Sequence, residues 1–314
     1  MGAKSWAAVL LATAVGIIAF GWPFLAEPGS SAVAHASDAP WVFAAVVPLV
    51  LLVVLAQVSD GGMDAKAIAI LGVLAAVVCI LRPLGAGTAG LEPIWFVIIL
   101  GGCALGPGFG FSLGALSLAA SALITGGVGP WLPFQMIAAA WVGLGAGLLP
   151  QWPGGSAQPT LSGSPGGSAQ PTLSGSRGRA EIGMLAAYGL VASMAYGLVM
   201  NLWFWPFLGG LQATAYSPAI LFDPGAPVAD NLARWFAFSL VTSLGWDIPR
   251  GVLTAVLILI AGRPMLTALS RAARRANFTP AITFVPAEVP EWRAVPAEHG
   301  VSGAQAATGR SEQR

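Results

Sequence analysis

The chain has 314 residues, of which 56% are hydrophobic and only 9% charged, with a formal net charge of +1 and a mean hydropathy of +0.77. An average soluble domain carries about 25% charged residues, so this is an integral membrane protein. A near-zero net charge without a clustered basic surface excludes nucleic acid as a partner, and two cysteines inside apolar runs, Cys79 and Cys103, suggest neither a disulfide framework nor a zinc site.

Eight apolar spans follow in order, each measured against the roughly 17 to 25 residues a crossing needs. Residues 6–22 form the first; Lys4 before them imitates a signal peptide, but no small-residue cleavage site precedes a soluble domain, so a retained helix is expected. Residues 41–58 and 65–81 are the second and third. Between Pro93 and Ser176 there is no Asp, Glu, Lys, Arg or His. Gly and Pro divide that neutral stretch into residues 94–105, ended by Gly106-Pro107-Gly108, residues 109–124, ended by Gly126-Gly127, and residues 132–149, closed by Pro150. Residues 182–204 are the seventh span.

The last apolar region, residues 232–261, is longer than one crossing and allows two parses. In one, residues 230–243 form an amphipathic surface segment and a membrane helix starts near Asp247, with Asp247 as its cap and Pro249 in its first turn. In the other, a single tilted helix kinks at Pro249. Either way the fold class is all-α, a polytopic bundle of about eight transmembrane helices with both termini on one side.

Lys and Arg accumulate in cytoplasmic loops. With the amino terminus inside, inner segments hold Lys4, Lys66, Arg177, Arg179, Arg263, Arg271, Arg274 and Arg275, and outer segments hold Arg82 and Arg234. Both termini are therefore expected in the cytoplasm, at the cell membrane. Residues 153–164 read PGGSAQPTLSGS and residues 165–176 repeat them, a Gly, Ser and Pro-rich sequence expected to be a flexible cytoplasmic linker spanning 151–180. The polar segment 270–314, rich in Pro beyond Asn277, is expected to be a disordered tail.

Catalytic signatures are sparse. No Gly-x-x-x-x-Gly-Lys-Ser/Thr is present, so ATP hydrolysis would require a partner. His35 and His299 fall in an outer loop and in the tail, so no metal site, cofactor or Ser-His protease centre is expected within the spans. The run Gly143-Leu144-Gly145-Ala146-Gly147 lies inside an apolar span with no preceding strand, and reads as helix packing rather than a nucleotide loop.

The polar and aromatic groups near the outer span ends carry more information. Asp247 and Arg250, three apart, share a helix face and pair, either as ligand-facing groups or as a neutralised cap of the last helix. Trp131, Phe134, Trp141, Trp203, Trp205, Trp235 and Trp246 gather there with Gln135 and Asn201. A lipid-interface belt accounts for any one of these aromatics; together with amide and charged anchors they suit a pocket for a ring-containing amphipathic molecule. In the third span Ala65 and Ala69, and Gly72 and Ala76, repeat small residues every four positions, which lets another helix approach closely.

The six spans from Ala65 onward, the run GPGFGFSLGALSLAASALITGGVGPWLPFQMIAAAWVGLGAGLLP (residues 106–150), MNLWFWPF (200–207) and TSLGWDIPRGVLTAVLILIAGRPML (242–266) resemble the substrate-binding S component of energy-coupling factor transporters, actinobacterial type. The resemblance covers residues 65–269, a six-helix core preceded by two extra helices in residues 1–64. It implies a non-catalytic subunit that captures a vitamin or related micronutrient from outside and works with a transmembrane T component and two ATPase subunits. A corrinoid such as cobalamin is the first expectation and another vitamin the second. By the same resemblance Ala65, Ala69, Gly72 and Ala76 would meet the T component, and the loops after spans three, five and seven would form the lid and pocket. Arg82 then becomes a gate or anion-binding candidate beside its alternative, an interfacial snorkelling arginine. The substrate-binding candidates are Arg82, Trp131, Phe134, Gln135, Trp141, Asn201, Trp203, Trp205, Trp246, Asp247 and Arg250. Two other readings stay open at this stage: a membrane enzyme acting on a lipid-linked substrate, with Asp247 as acid or base and Arg250 as phosphate ligand, and a structural membrane protein.

Overall fold

The computed structural model describes residues 1–25, 39–61, 63–85, 90–150, 175–208 and 216–276. The tandem repeat up to residue 174, the tail from residue 277, His35, His299 and most of the first loop lie outside the described residues, as do the side chains of Arg177, Arg274 and Arg275. The described residues contain nine α-helices: α1 Ala3–Leu25, α2 Ala39–Ser59, α3 Ala65–Leu81, α4 Trp95–Leu105, α5 Pro107–Thr125, α6 Leu132–Leu148, α7 Gly175–Phe204, α8 Val228–Thr242 and α9 Leu244–Ala276. Five contain stretches long and apolar enough to cross a membrane, Ala3–Phe24, Ala65–Gly85, Pro107–Thr125, Gly178–Phe207 and Leu244–Ala272; the apolar helices Val46–Ser59, Trp95–Leu105 and Leu132–Leu148 are shorter. The protein is an all-α, multi-pass membrane bundle.

Local chemistry fixes the breaks. Asp64 caps α3 by accepting the Ala67 N–H at 2.7 Å. Gly106, at φ 98, turns the chain between α4 and α5, and Pro107 opens α5 where a missing N–H costs nothing. Gly126, at φ 67, closes α5: its N–H and that of Gly127 both return to the Ala122 carbonyl, a left-handed C-cap that suits a residue without Cβ.

The core is built around α4. Nine of its eleven residues are buried, as expected for a helix apolar on every side. Glycine then sets the interhelical distances. A Cβ on Gly110 would collide with the Gly143 carbonyl and one on Gly143 with that of Gly110; Gly114 faces the Ala139 carbonyl, and Gly102 that of Gly143. The glycine run of α6 is thus a packing surface, because without side chains the α5 and α6 backbones touch. On its other side Gly145 makes room for Tyr188, whose hydroxyl donates to the Val142 carbonyl at 2.7 Å. Between α7 and α9, Gly189 faces Ile258 and Thr254, Gly251 faces Leu190, and Ser193 Oγ donates to Thr254 Oγ1 at 3.2 Å.

The first two helices are docked on this core. The buried Gln57 of α2 donates to the Gly108 carbonyl and Ser112 Oγ of α5, each at 3.0 Å. Gly16 of α1 lies against Ile137 and Trp141 of α6. Asp60 joins α2 to α1 by accepting the Ser5 N–H at 2.8 Å and Ser5 Oγ–H at 2.7 Å. The backbone donor, then the hydroxyl, hold this carboxyl below the ordinary aspartate value of 3.8.

The last apolar region is two helices. The break falls at Ser243, and α9 begins at Leu244, so Asp247 is already inside its first turn, with its N–H bonded to the Ser243 carbonyl at 2.9 Å. The expected capping role for Asp247 is therefore not what the structure holds. Its carboxylate instead takes Arg250, and Pro249 follows within the helix.

Candidate functional site

The ends of α3, α5, α7 and the starts of α4, α6 and α9 converge at one end of the bundle around a cavity of about 270 Å³. Its wall includes Arg82, Pro83, Gly85, Gly90, Glu92, Ile94, Trp95, Leu118, Thr125, Gln135, Tyr196 and Trp246. Two charged side chains, Arg82 and Glu92, are part of the wall.

Arg82 leaves the end of α3 at a 3-10 turn, Arg82–Gly85. Its Nη1 donates to Ser121 Oγ of α5 at 2.9 Å and its Nη2 to Gln135 Oε1 of α6 at 2.7 Å. Both acceptors are neutral, so two helices orient the guanidinium without supplying a counter-ion.

Glu92 stands in the short connection into α4. Its Oε2 accepts the Trp95 indole N–H at 2.9 Å and lies 3.3 Å from Arg250 Nε. That Nε makes no hydrogen bond, so the contact with Glu92 is ionic rather than directional. Arg250 Nη1 meets Asp247 Oδ1 at 2.6 Å, and the guanidinium sits 5.4 Å from the Tyr196 ring centroid. Asp247 and Arg250 are both buried, and Gly197 of α7 admits the Asp247 carboxylate where any Cβ would collide with it. Gly90, at φ 79, brings the loop before α4 onto the Trp246 backbone, an approach that only glycine permits.

Of the candidates read from the sequence, Arg82, Gln135 and Trp246 line this cavity, and Asp247 and Arg250 stand behind Glu92. Trp203 is the hub of an aromatic cluster, with Trp131 at 6.1 Å, Phe134 at 6.0 Å and Phe207 at 5.8 Å between centroids. Phe134 is edge-on to Phe20 of α1 at 5.1 Å, so the cluster joins α1 to α6 and α7. Trp141 packs on Phe20 and donates to Thr13 Oγ1 at 3.3 Å. Asn201 clamps α7 to α8 through Ser239 Oγ at 3.0 Å and Ser243 Oγ at 2.7 Å. Trp205 is fully buried in a second apolar cluster with Leu208, Leu221 and Phe238, its N–H on the Ile220 carbonyl at 2.8 Å.

Glu92, Trp95, Tyr196 and Ser121 had escaped the sequence reading. Glu92 immediately precedes the uncharged stretch and is three residues from Trp95, so an acid at the mouth of a neutral span was the signal available. The small residues of α3 fall differently: Ala65, Ala69, Gly72 and Ala76 are all exposed, and a Cβ on Gly72 would meet nothing within 4 Å. The helix buries Leu71, Leu74, Val78 and Cys79 instead.

A family model, the ECF transporter, substrate-specific component, matches residues 66–262, more than half of the chain. No curated protein and no solved structure matches it. The matched segment holds the whole of the cavity wall and nearly all of α3. The chain belongs to the substrate-specific components of ECF transporters, the non-catalytic membrane subunits that bind the substrate.

Proposed function

We propose that this subunit captures a vitamin or related micronutrient in the Arg82 cavity from the outer face of the cell membrane, and passes it inward with a T component and two ATPase subunits. Family membership implies association with a T component and ATPases. The observation that carries the reading is the cavity itself, framed by six helices at one end of the bundle and furnished with an arginine that two neutral acceptors orient and that pairs with no carboxylate among the described residues.

Sidedness follows from basic residues. Lys4, Lys66, Arg179, Arg263 and Arg271 belong to helix ends opposite the cavity, whereas the cavity end has Arg82, Arg234 and Arg250, the last of these paired with acids. By the positive-inside rule the cavity opens outward and both termini are cytoplasmic. The exposed face of α3, with Ala65, Ala69, Gly72 and Ala76, is the docking surface for the T component, since small residues allow close helix contact in lipid.

At about 270 Å³ the cavity lies just under the usual ligand-pocket range of roughly 300 to 1,000 Å³. That volume favours a vitamin of one or two rings over a corrinoid, which would need the site to widen. No observation favours a lipid-modifying enzyme: the Asp247 carboxylate is bound by Arg250 and packed under Gly197 rather than presented to the cavity.

Native mass spectrometry of the full chain, purified from a vitamin-replete host, tests the proposal. A retained small molecule is expected. No retained molecule, together with no thermal shift across a panel of water-soluble vitamins, would contradict it.

A further inference from the structure

The charges in the cavity wall are segregated, and their segregation describes the ligand. On one side is Arg82, with two of its five N–H donors on neutral acceptors and no carboxylate partner among the described residues. Residues 86–89, which follow it in sequence, read Ala-Gly-Thr-Ala and include no acidic residue. On the other side two carboxylates, Glu92 and Asp247, share the single guanidinium of Arg250. Asp247 has the directed contact, whereas Arg250 Nε lies beside Glu92 without pointing a hydrogen at it. Glu92 Oε1 has no partner among the described residues, because both contacts made by this carboxylate go to Oε2. Trp246, half exposed, supplies a flat apolar surface to the same cavity, and the buried Trp95 and Tyr196, 4.2 Å apart between centroids, back the wall.

A half-buried cation without a counter-ion is costly, as is a carboxylate with half its lone pairs idle, unless the ligand completes both. We propose that the cavity takes a small zwitterionic ring compound, whose acidic group pairs with Arg82 and whose basic group pairs with Glu92, the ring lying against the exposed face of Trp246. The inference rests on the capture reading above and adds the chemical class. An anion alone would leave Glu92 Oε1 idle and the carboxylate with only its shared contact to Arg250, a cation alone would leave Arg82 without a counter-ion, and a neutral ligand would do both. Charge-assisted contacts at both ends also give selectivity, since an analogue lacking either group strands a protein charge.

The probe is the molecule that the full chain retains through purification into lipid nanodiscs, identified by its mass and fragmentation, then added back at known concentration. The retained molecule is expected to carry one acidic and one basic group, and Arg82→Gln and Glu92→Gln are each expected to weaken it by at least about tenfold. Esterifying the acid should lower affinity for the wild-type protein by a similar factor, and the ester should bind wild type and Arg82→Gln alike. If Glu92→Gln fails to fold, an analogue whose basic group is acylated reads the Glu92 contact on the wild-type protein and should bind at least about tenfold more weakly. A retained molecule lacking either charge, or one that binds both variants as tightly as wild type, overturns the zwitterion proposal and leaves the capture reading standing. Absence of any retained or added vitamin ligand overturns both.

Discussion

Two faces of this protein are lined with small residues and meet opposite fates. On α5 and α6, Gly110, Gly114 and Gly143 are filled by a neighbouring backbone, so close that no Cβ fits. On α3, Ala65, Ala69, Gly72 and Ala76 face outward, and the space above Gly72 is open. The same spacing therefore marks close helix approach without saying which helix approaches. What separates the two is the opposite face of each helix. α4, which α5 and α6 enclose, is apolar all round and buries nine of eleven residues, leaving no lipid-facing side, whereas α3 buries one stripe of Leu71, Leu74, Val78 and Cys79 and presents the rest.

The largest expected effect comes from breaking the closed face. Gly110→Val places a branched side chain on the Gly143 carbonyl, and the loss should exceed about 3 kcal/mol, read as failure to recover folded monomer or a collapse in Tm. The equivalent change on the open face should be silent in stability: Ala65→Leu with Ala69→Leu should move it by no more than about 0.5 kcal/mol in thermal unfolding. If the double variant unfolds like Gly110→Val, the distinction between the faces is wrong.

A gentler test separates Arg82 from Arg234, both at the cavity end. Arg234 donates to the Pro218 carbonyl at 2.9 Å and the Leu221 carbonyl at 3.3 Å, and lies 3.9 Å from Asp223. It ties the segment before α8 to the helix itself. Arg234→Ala should cost roughly 1 kcal/mol of stability while ligand retention by native mass spectrometry is kept, the reverse of Arg82→Gln. The smallest effect concerns Asp60. Its pKa is lowered in the folded state, so the stability it contributes is present above the unfolded value of about 3.8 and lost as pH falls through the lower folded value. Asp60→Asn should lower Tm slightly at pH 7, and the gap to wild type should close below about pH 4.

Much of the fold was legible from breaks. Gly106-Pro107, Gly126 and Pro150 sit where the helices start and stop, because caps and φ limits act locally. The expected limits of α3 agree with the observed Ala65–Leu81, and those of α4 to α6 with the observed helices to within two residues. α7 and α9 run farther than hydropathy suggested, since Gly175 and Ala276 lie in polar sequence that still forms helix. The site was legible only in part. Arg82 stood out as a lone basic residue among outer loops, and Asp247 with Arg250 as an i, i+3 pair. Glu92 did not, because its importance comes from Arg250, 158 positions later, and sequence spacing carries nothing about that contact. The tryptophans misled in the other direction. Trp141 and Trp205 are as prominent in the sequence as Trp246, yet one meets α1 and the other an internal carbonyl.

The central claim is that ligand capture and partner docking occupy separate surfaces, the Arg82 cavity and the open face of α3. Ligand retention and co-purification of the T component, measured together on Ala65→Leu/Ala69→Leu, test it most directly. The account predicts a variant that retains its ligand as wild type does and no longer co-purifies with the T component. A variant that loses the ligand, or that keeps the T component, would contradict it.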